Sequence, residues 1–189
     1  FLLRPEYLAN LGRTEEAITR LEEVIKTRPN NYYAWEKLLL LYLQKQEFKK
    51  LFIKGEECAT RFNMSFLAKL LYANGAIENK KYDIAREELR KAEILAGDNQ
   101  EFLLQVLTMR AELFYRTKDY KEAFETFDKA LIINSEDLTI LNNYAYYLAE
   151  ANMDLKKAEE MARKVIEKEK DNDTFLDTYA WVLYKRGRY

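Results

Sequence analysis

The most constraining feature of this sequence is a short pattern that returns along the chain at nearly constant spacing. The tetrapeptides at positions 82–85 and 120–123 each run from a tyrosine to an alanine, and looser copies end at positions 17, 51 and 158. Successive copies are 34, 34, 38 and 35 residues apart. A unit of this length holds two helices but cannot bury its apolar face alone, so the chain is expected to stack similar units.

Other positions keep the same spacing relative to these copies. Ala73 and Ala111 stand twelve residues before Ala85 and Ala123. After each of these two alanines, a large apolar residue follows four positions later and a small one seven positions later, as Leu89/Ala92 and Phe127/Ala130. Small residues let two helix backbones approach where they cross, and large residues one turn away fill the remaining space. The pattern therefore predicts antiparallel helix pairs. With only five glycines and two prolines, the chain also lacks the turns of an all-β domain.

These spacings resemble the tetratricopeptide repeat (TPR), a helix-turn-helix unit of 34 residues. Trp35, Leu38 and Tyr42 match its aromatic signature, and Pro29 stands where the second helix of the family stops. The resemblance covers the whole chain and includes repeats common in bacterial proteins of this family. It implies an all-α fold, a right-handed superhelical solenoid of antiparallel helix pairs with about five and a half repeats.

We accordingly expect a single TPR solenoid over residues 1–189. Partial repeats would occupy residues 1–31 and 173–189, complete repeats would occupy 32–65, 66–99, 104–137 and 138–172, and an insertion would fall near Gly97. Terminal repeats normally carry a polar outer face, and neither end of this chain shows one. The chain is therefore predicted to be a fragment of a longer repeat protein, whose uncapped ends could self-associate.

Repeat 2 departs most from the family pattern. Leu39 and Leu51 stand where small residues are expected, and Gly55 replaces a large residue. Two interpretations remain open: an exchange of volume with repacked helices, or drift in a degenerate repeat. Gly75 lies inside another predicted helix, where glycine costs about 1 kcal/mol relative to alanine, and the sequence offers no reason for it.

The composition excludes most enzyme sites. Without histidine there is no imidazole base or histidine metal ligand, and one cysteine can form neither an internal disulfide nor a cysteine zinc cluster. No glycine-rich phosphate loop occurs. We therefore predict no catalysis, no cofactor and no metal site. Cys58 falls at a small apolar packing position, where cysteine is usually inert.

Charge and hydropathy limit the class of partner. The 31 basic and 32 acidic residues leave a net charge of −1, which lacks the basic surface typical of nucleic-acid binding. The longest apolar runs, such as that at positions 38–43, have six residues, whereas a membrane-spanning helix needs about 20. We predict no nucleic-acid partner and no membrane insertion by this segment.

The TPR resemblance implies a role in protein binding, because in that family the first helices of the repeats line a concave groove that holds peptides or partner segments. For repeat 6 the groove positions include Thr174, Asp177 and Thr178. Tyr, Trp, Arg and Asn are the residue types that contribute most to binding or that hold a peptide backbone. From repeats 4–6 we select a partner-binding groove of Glu112, Tyr115, Arg116, Asn142, Asn143, Tyr146, Trp181 and Tyr184.

Alternatives to this groove remain at the level of sequence. The selected residues could be ordinary exposed or half-packed helix residues, and the repeats could form a structural or self-assembly module or the regulatory part of a longer protein. The chaperone-binding carboxylate clamp of the family is not matched, because Thr108 and Glu112 stand where it needs Lys and Asn. The sequence identifies neither the partner nor the compartment; bacterial cytoplasm and cell envelope both agree with it.

Overall fold

Every regular element in the described part of the chain is an α-helix. The computed structural model describes residues 12–188, so the predicted start of repeat 1 (residues 1–11) and Tyr189 lie outside the described residues. The helices are α1 (Thr14–Thr27), α2 (Tyr32–Gln44), α3 (Phe48–Arg61), α4 (Phe66–Glu78), α5 (Tyr82–Ala96), α6 (Gln100–Arg116), α7 (Tyr120–Ile133), α8 (Leu138–Glu150), α9 (Leu155–Lys168) and α10 (Asp173–Lys185). The all-α prediction is therefore confirmed.

The first helix of each of repeats 2–6 begins at a polar side-chain cap. Asn31, Ser65, Asn99, Asp137 and Asn172 precede α2, α4, α6, α8 and α10, and each accepts a hydrogen bond from the main-chain N–H three residues later. Such a cap satisfies one of the N–H groups that a helix leaves without an intrahelical partner. These caps set where each first helix starts.

The turn inside each of repeats 2–5 has the same backbone geometry. Gln46, Lys80, Lys118 and Asn152 have φ angles between 54° and 64°, and in each turn the next N–H donates to a carbonyl five residues earlier, at 2.8–2.9 Å. This is the Schellman ending of a helix, which usually has glycine at its left-handed position. The same turn recurs at four positions with three residue types other than glycine, so the geometry follows from the helix ending and the packing of the pair.

The repeat pattern corresponds to the packing of the helix pairs. The residues at the ends of the five pattern copies, Ala17, Leu51, Ala85, Ala123 and Ala158, all have 0% exposed surface. They lie in α1, α3, α5, α7 and α9, the second helices of the repeats. The helical period predicted from the sequence is therefore confirmed at the positions where the helices cross.

The chain forms two compact units, the first ending at Gly97 and the second starting at Asp98. In the first unit, α2 packs against α1, α3 and α4, and α5 packs against α4. In the second unit, α6 packs against α7, and α8 packs against α7, α9 and α10. Helix α6 begins at Gln100, so the insertion expected before repeat 4 lengthens a helix instead of adding a loop. The single solenoid over the whole chain stays a prediction.

Gly75 lies where α4 passes close to the backbone of α3. A Cβ atom at this position would stand 2.8 Å from both the Cα and the nitrogen of Phe52. At Gly55 of α3, a Cβ would stand 3.1 Å from the Cα of Tyr72 in α4, and the Tyr72 ring packs against Phe52 at 5.5 Å between centroids. The two glycines therefore let α3 approach α4, a contact between repeats 2 and 3 that inspection of repeat 2 alone does not show.

We expect Gly75→Ala to lower the free energy of unfolding by about 1–3 kcal/mol, the usual cost of overpacking. The same change at an open helix position would raise it by about 1 kcal/mol, because alanine favours helix. Urea denaturation followed by circular dichroism measures the difference. Gly55→Ala, with its nearest neighbour 0.3 Å farther away (3.1 against 2.8 Å), should cost less. A Gly75→Ala protein as stable as wild type would contradict the close contact.

Candidate functional site

A cavity of about 510 Å³ lies between α8 and α10 in the second unit. Its residues recur at helical spacing, so one face of each helix forms one wall. They are Asn142, Asn143, Tyr146 and Tyr147 of α8, and Thr174, Asp177, Thr178 and Trp181 of α10. The cavity exists because α8 and α10 are the first helices of consecutive repeats and pack side by side, while α9 packs against both of them.

Two of the residues that line this cavity each have one buried polar atom without a hydrogen-bond partner among the described residues. The two atoms are Oδ1 of Asn142, an acceptor, and Nε1 of Trp181, a donor. Asn142 is 5% exposed. An unpaired buried polar group costs about 1–3 kcal/mol, and each one in a native structure calls for an explanation. A ligand that offers both a donor and an acceptor would satisfy the pair.

Aromatic side chains continue from the cavity to its neighbours. The Tyr147 ring lies 4.5 Å from that of Tyr115 and 5.4 Å from that of Tyr146, and the Trp181 ring stacks on Tyr184 at 5.4 Å between centroids. Burial raises the pKa of Tyr115 to about 12 and raises the pKa of Tyr147 as well. These hydroxyl groups are therefore protonated at neutral pH.

The structure brings together part of the groove selected from the sequence. Asn142, Asn143, Tyr146 and Trp181 line the cavity. Tyr115 and Tyr184 do not line it, but their rings contact Tyr147 and Trp181 respectively. Glu112 and Arg116 form an ion pair with each other on α6, at 2.6 Å, and stand outside the cavity.

Four cavity residues were not among those selected. Thr174, Asp177 and Thr178 stand at groove positions of repeat 6 but were passed over for aromatic and amide residues. Tyr147 stands at no groove position of the repeat pattern. Its i,i+4 spacing from Asn143 places it on the cavity face, and this spacing is the signal that could have found it.

A second cavity, of about 430 Å³, lies in the first unit among residues of α1, α2 and α3. Most of its charged groups already have partners. Glu22 accepts a hydrogen bond from the Tyr42 hydroxyl, and Lys54 pairs with Glu57 at 2.8 Å. None of the buried polar atoms without a partner belongs to its described lining residues. The α8–α10 cavity is therefore the better candidate for a ligand.

Comparison with known proteins identifies the fold. The sequence model of the tetratricopeptide repeat matches residues 67–137, and that of a domain of unknown function (DUF7017) matches residues 4–97. TTC0263, a thermophilic TPR protein of Thermus thermophilus, is similar in structure with a TM-score of 0.75 and 18% identity over 95% of each chain. No curated protein sequence matches the chain significantly.

Two further solved structures are similar over most of their length. MamA from Desulfovibrio magneticus RS-1 has a TM-score of 0.70 and 16% identity over 89% of this chain and 93% of its own. PilF of Pseudomonas aeruginosa has a TM-score of 0.69 and 19% identity over 97% of this chain and 82% of its own. The chain has the tetratricopeptide repeat fold, and residues 67–137 match the sequence model of that family, so the resemblance inferred from its spacing is confirmed. This fold generally mediates protein–protein interaction.

The described residues offer little for other chemistry. In residues 12–188, no three or more cysteine or acidic side chains converge in a way that could hold a metal ion. None of the helices described is both long and apolar enough to cross a bilayer. Cys58 is 0% exposed, and its burial raises the pKa of the thiol to about 12. The thiol is therefore protonated and shielded at neutral pH.

We expect Cys58 to resist 5,5′-dithiobis(2-nitrobenzoate) at pH 8, because only the thiolate attacks the reagent and the pKa lies far above that pH. Absorbance at 412 nm should stay flat in buffer and rise by one equivalent once urea unfolds the first unit. Rapid release of one equivalent from the folded protein would contradict the burial.

Proposed function

We propose that this protein is a non-catalytic scaffold that binds an extended segment of a partner protein in the α8–α10 cavity. The observation that carries the proposal is the pair of unpartnered atoms, Asn142 Oδ1 and Trp181 Nε1. A peptide backbone offers an N–H donor and a C=O acceptor at every residue other than proline. An extended segment can therefore satisfy both atoms, whatever its side chains are.

Proteins with this fold generally act as scaffolds rather than enzymes. The cavity agrees with such a role, since it is lined by aromatic rings, amides, hydroxyls and one carboxylate, with no histidine anywhere in the chain. Tyrosine and tryptophan are enriched among the residues that dominate binding energy at interfaces. The near-neutral net charge of −1 favours a protein over a nucleic acid as the partner.

The test separates binding from folding. A phage-displayed library of random heptapeptides is selected against the wild-type protein, and the enriched peptides are synthesised. We expect Asn142→Leu to weaken their binding at least tenfold, because the leucine offers no acceptor. The same change should leave the free energy of unfolding unchanged or raise it by about 1 kcal/mol, since it removes a buried unpaired oxygen.

Matched controls make the result specific. Trp181→Phe keeps an aromatic ring but removes the N–H donor, and it should also weaken binding. Leu176→Ala, on α10 but outside the cavity, should leave binding unchanged. Peptides that bind equally well to wild type, Asn142→Leu and Trp181→Phe would overturn the proposal, as would the absence of any enriched peptide.

A second candidate function is self-association through α10. Leu176 and Tyr184 are 41% and 59% exposed on this helix, a large share for apolar and aromatic side chains. If α10 packs against another copy, light scattering should show the molecular mass rise with concentration, and Leu176→Ser should suppress the rise. A monomer at every concentration up to about 1 mM would exclude this role.

A further inference from the structure

The cavity between α8 and α10 has one charged residue in its wall, Asp177. No described residue forms a hydrogen bond or an ion pair with this carboxylate. Many acidic residues of the chain do have such a partner: Glu112 pairs with Arg116, Asp128 with Lys157, and Glu136 with two lysines. Asp177 thus brings an uncompensated negative charge to the place where the proposed ligand would lie.

Asp177 also stands in a useful position relative to the two unpartnered atoms. It lies one helical turn before Trp181 on the same face of α10, and Asn142 stands across the cavity on α8. A residue of a bound segment that hydrogen-bonds to Trp181 therefore has a side chain within reach of the Asp177 carboxylate. The helix spacing brings a backbone-binding group and a charge to one wall.

The rest of the wall suits a cation. The Tyr146 ring is 40% exposed and lines the cavity, and an aromatic face attracts a guanidinium or ammonium group. Burial first, and then the negative charge of Glu150 at the end of α8, raise the pKa of Tyr146. A second carboxylate therefore stands near this ring. Lys185 lies over the Trp181 ring at 5.0 Å, but it does not line the cavity.

We propose that the segment bound in this cavity presents a basic side chain, arginine fitting best, that pairs with Asp177 while its backbone bonds to Asn142 and Trp181. Arginine is favoured over lysine because its planar group can pair with a carboxylate and stack on the Tyr146 ring at the same time. An apolar side chain would desolvate Asp177 without compensation, and an acidic one would be repelled. This inference rests on the proposed function and specifies its partner.

The first experiment selects the random heptapeptide library against wild type and three variants. Wild type and Asp173→Asn should enrich peptides that share one basic position. Asp173 is the matched control, because it carries the same charge on the same helix but does not line the cavity. Asp177→Asn should lose the basic preference, and Asp177→Lys should select an acidic residue at that position.

The second experiment uses a synthetic peptide from the wild-type selection and the same peptide with its arginine replaced by citrulline, a neutral side chain of the same shape. We expect citrulline to weaken binding to wild type about tenfold and to change binding to Asp177→Asn by less than about twofold. The indole N–H signal of Trp181 in a ¹⁵N–¹H spectrum reports occupancy, since the chain has only one other tryptophan, the buried Trp35.

The outcomes distinguish the two proposals. Peptides that need Asn142 and Trp181 but show no basic preference, or that tolerate citrulline, would overturn the basic side chain and leave peptide binding intact. A basic preference that persists in Asp177→Asn would also overturn it, because the charge would then be recognised elsewhere. If no enriched peptide depends on Asn142 or Trp181, peptide binding in the cavity fails, and the basic side chain fails with it.

Discussion

The close crossing of neighbouring helices is the constraint on which the rest of this structure depends. At the crossing points Ala17, Ala85, Ala123 and Ala158 have no exposed surface, and Leu51 takes the same position in repeat 2. A small residue there lets two backbones approach, so the large residues one turn away can interdigitate. Because a single pair has an apolar face left over, a repeat is stabilised by packing against a neighbouring repeat within its unit. The α8–α10 cavity arises from this stacking.

Glycine serves the same purpose where the ordinary pattern fails. Repeat 2 has Leu51 at its crossing, and the next contact, between α3 and α4, is made through Gly55 and Gly75. The missing side chains let each helix backbone approach the other. The atypical repeat is therefore tightly packed, with Leu39, Leu51 and Cys58 all fully buried. A helical glycine is unfavourable for the isolated helix, but here the helix packing requires it.

The cavity between α8 and α10 shows how a repeat protein can reserve a part of its surface for binding. Most polar groups of the core are paired, since an unpaired buried group costs stability. Asn142 Oδ1 and Trp181 Nε1 are left without partners on facing helices, and Asp177 lies beside them without a counter-charge. The two unpaired atoms are unfavourable for the free protein and favourable for a complex, which is the usual trade-off between stability and function, whereas the exposed Asp177 carboxylate is solvated in the free protein.

The sequence alone was enough to identify the helices, their pairing and the TPR fold, because these follow from local spacing. The crossing residues at positions 17, 51, 85, 123 and 158 recur with the repeat, so the period could be detected from one chain. It also placed Asn142, Asn143, Tyr146 and Trp181 on one candidate surface, since residues on first helices face the same way when repeats stack.

Only the tertiary structure decided which of those residues meet. Glu112 and Arg116 were selected for their residue types, and they pair with each other at the i,i+4 spacing on α6, but only the packing of the helices shows that neither lines the cavity. Tyr147 and Asp177 became part of the site through the distance between α8 and α10. Position 75 likewise needs glycine because the backbone of another helix, at Phe52, leaves no room for a Cβ atom. Local spacing determines the faces of a helix, but contacts between helices depend on volumes and distances that arise only when the repeats pack.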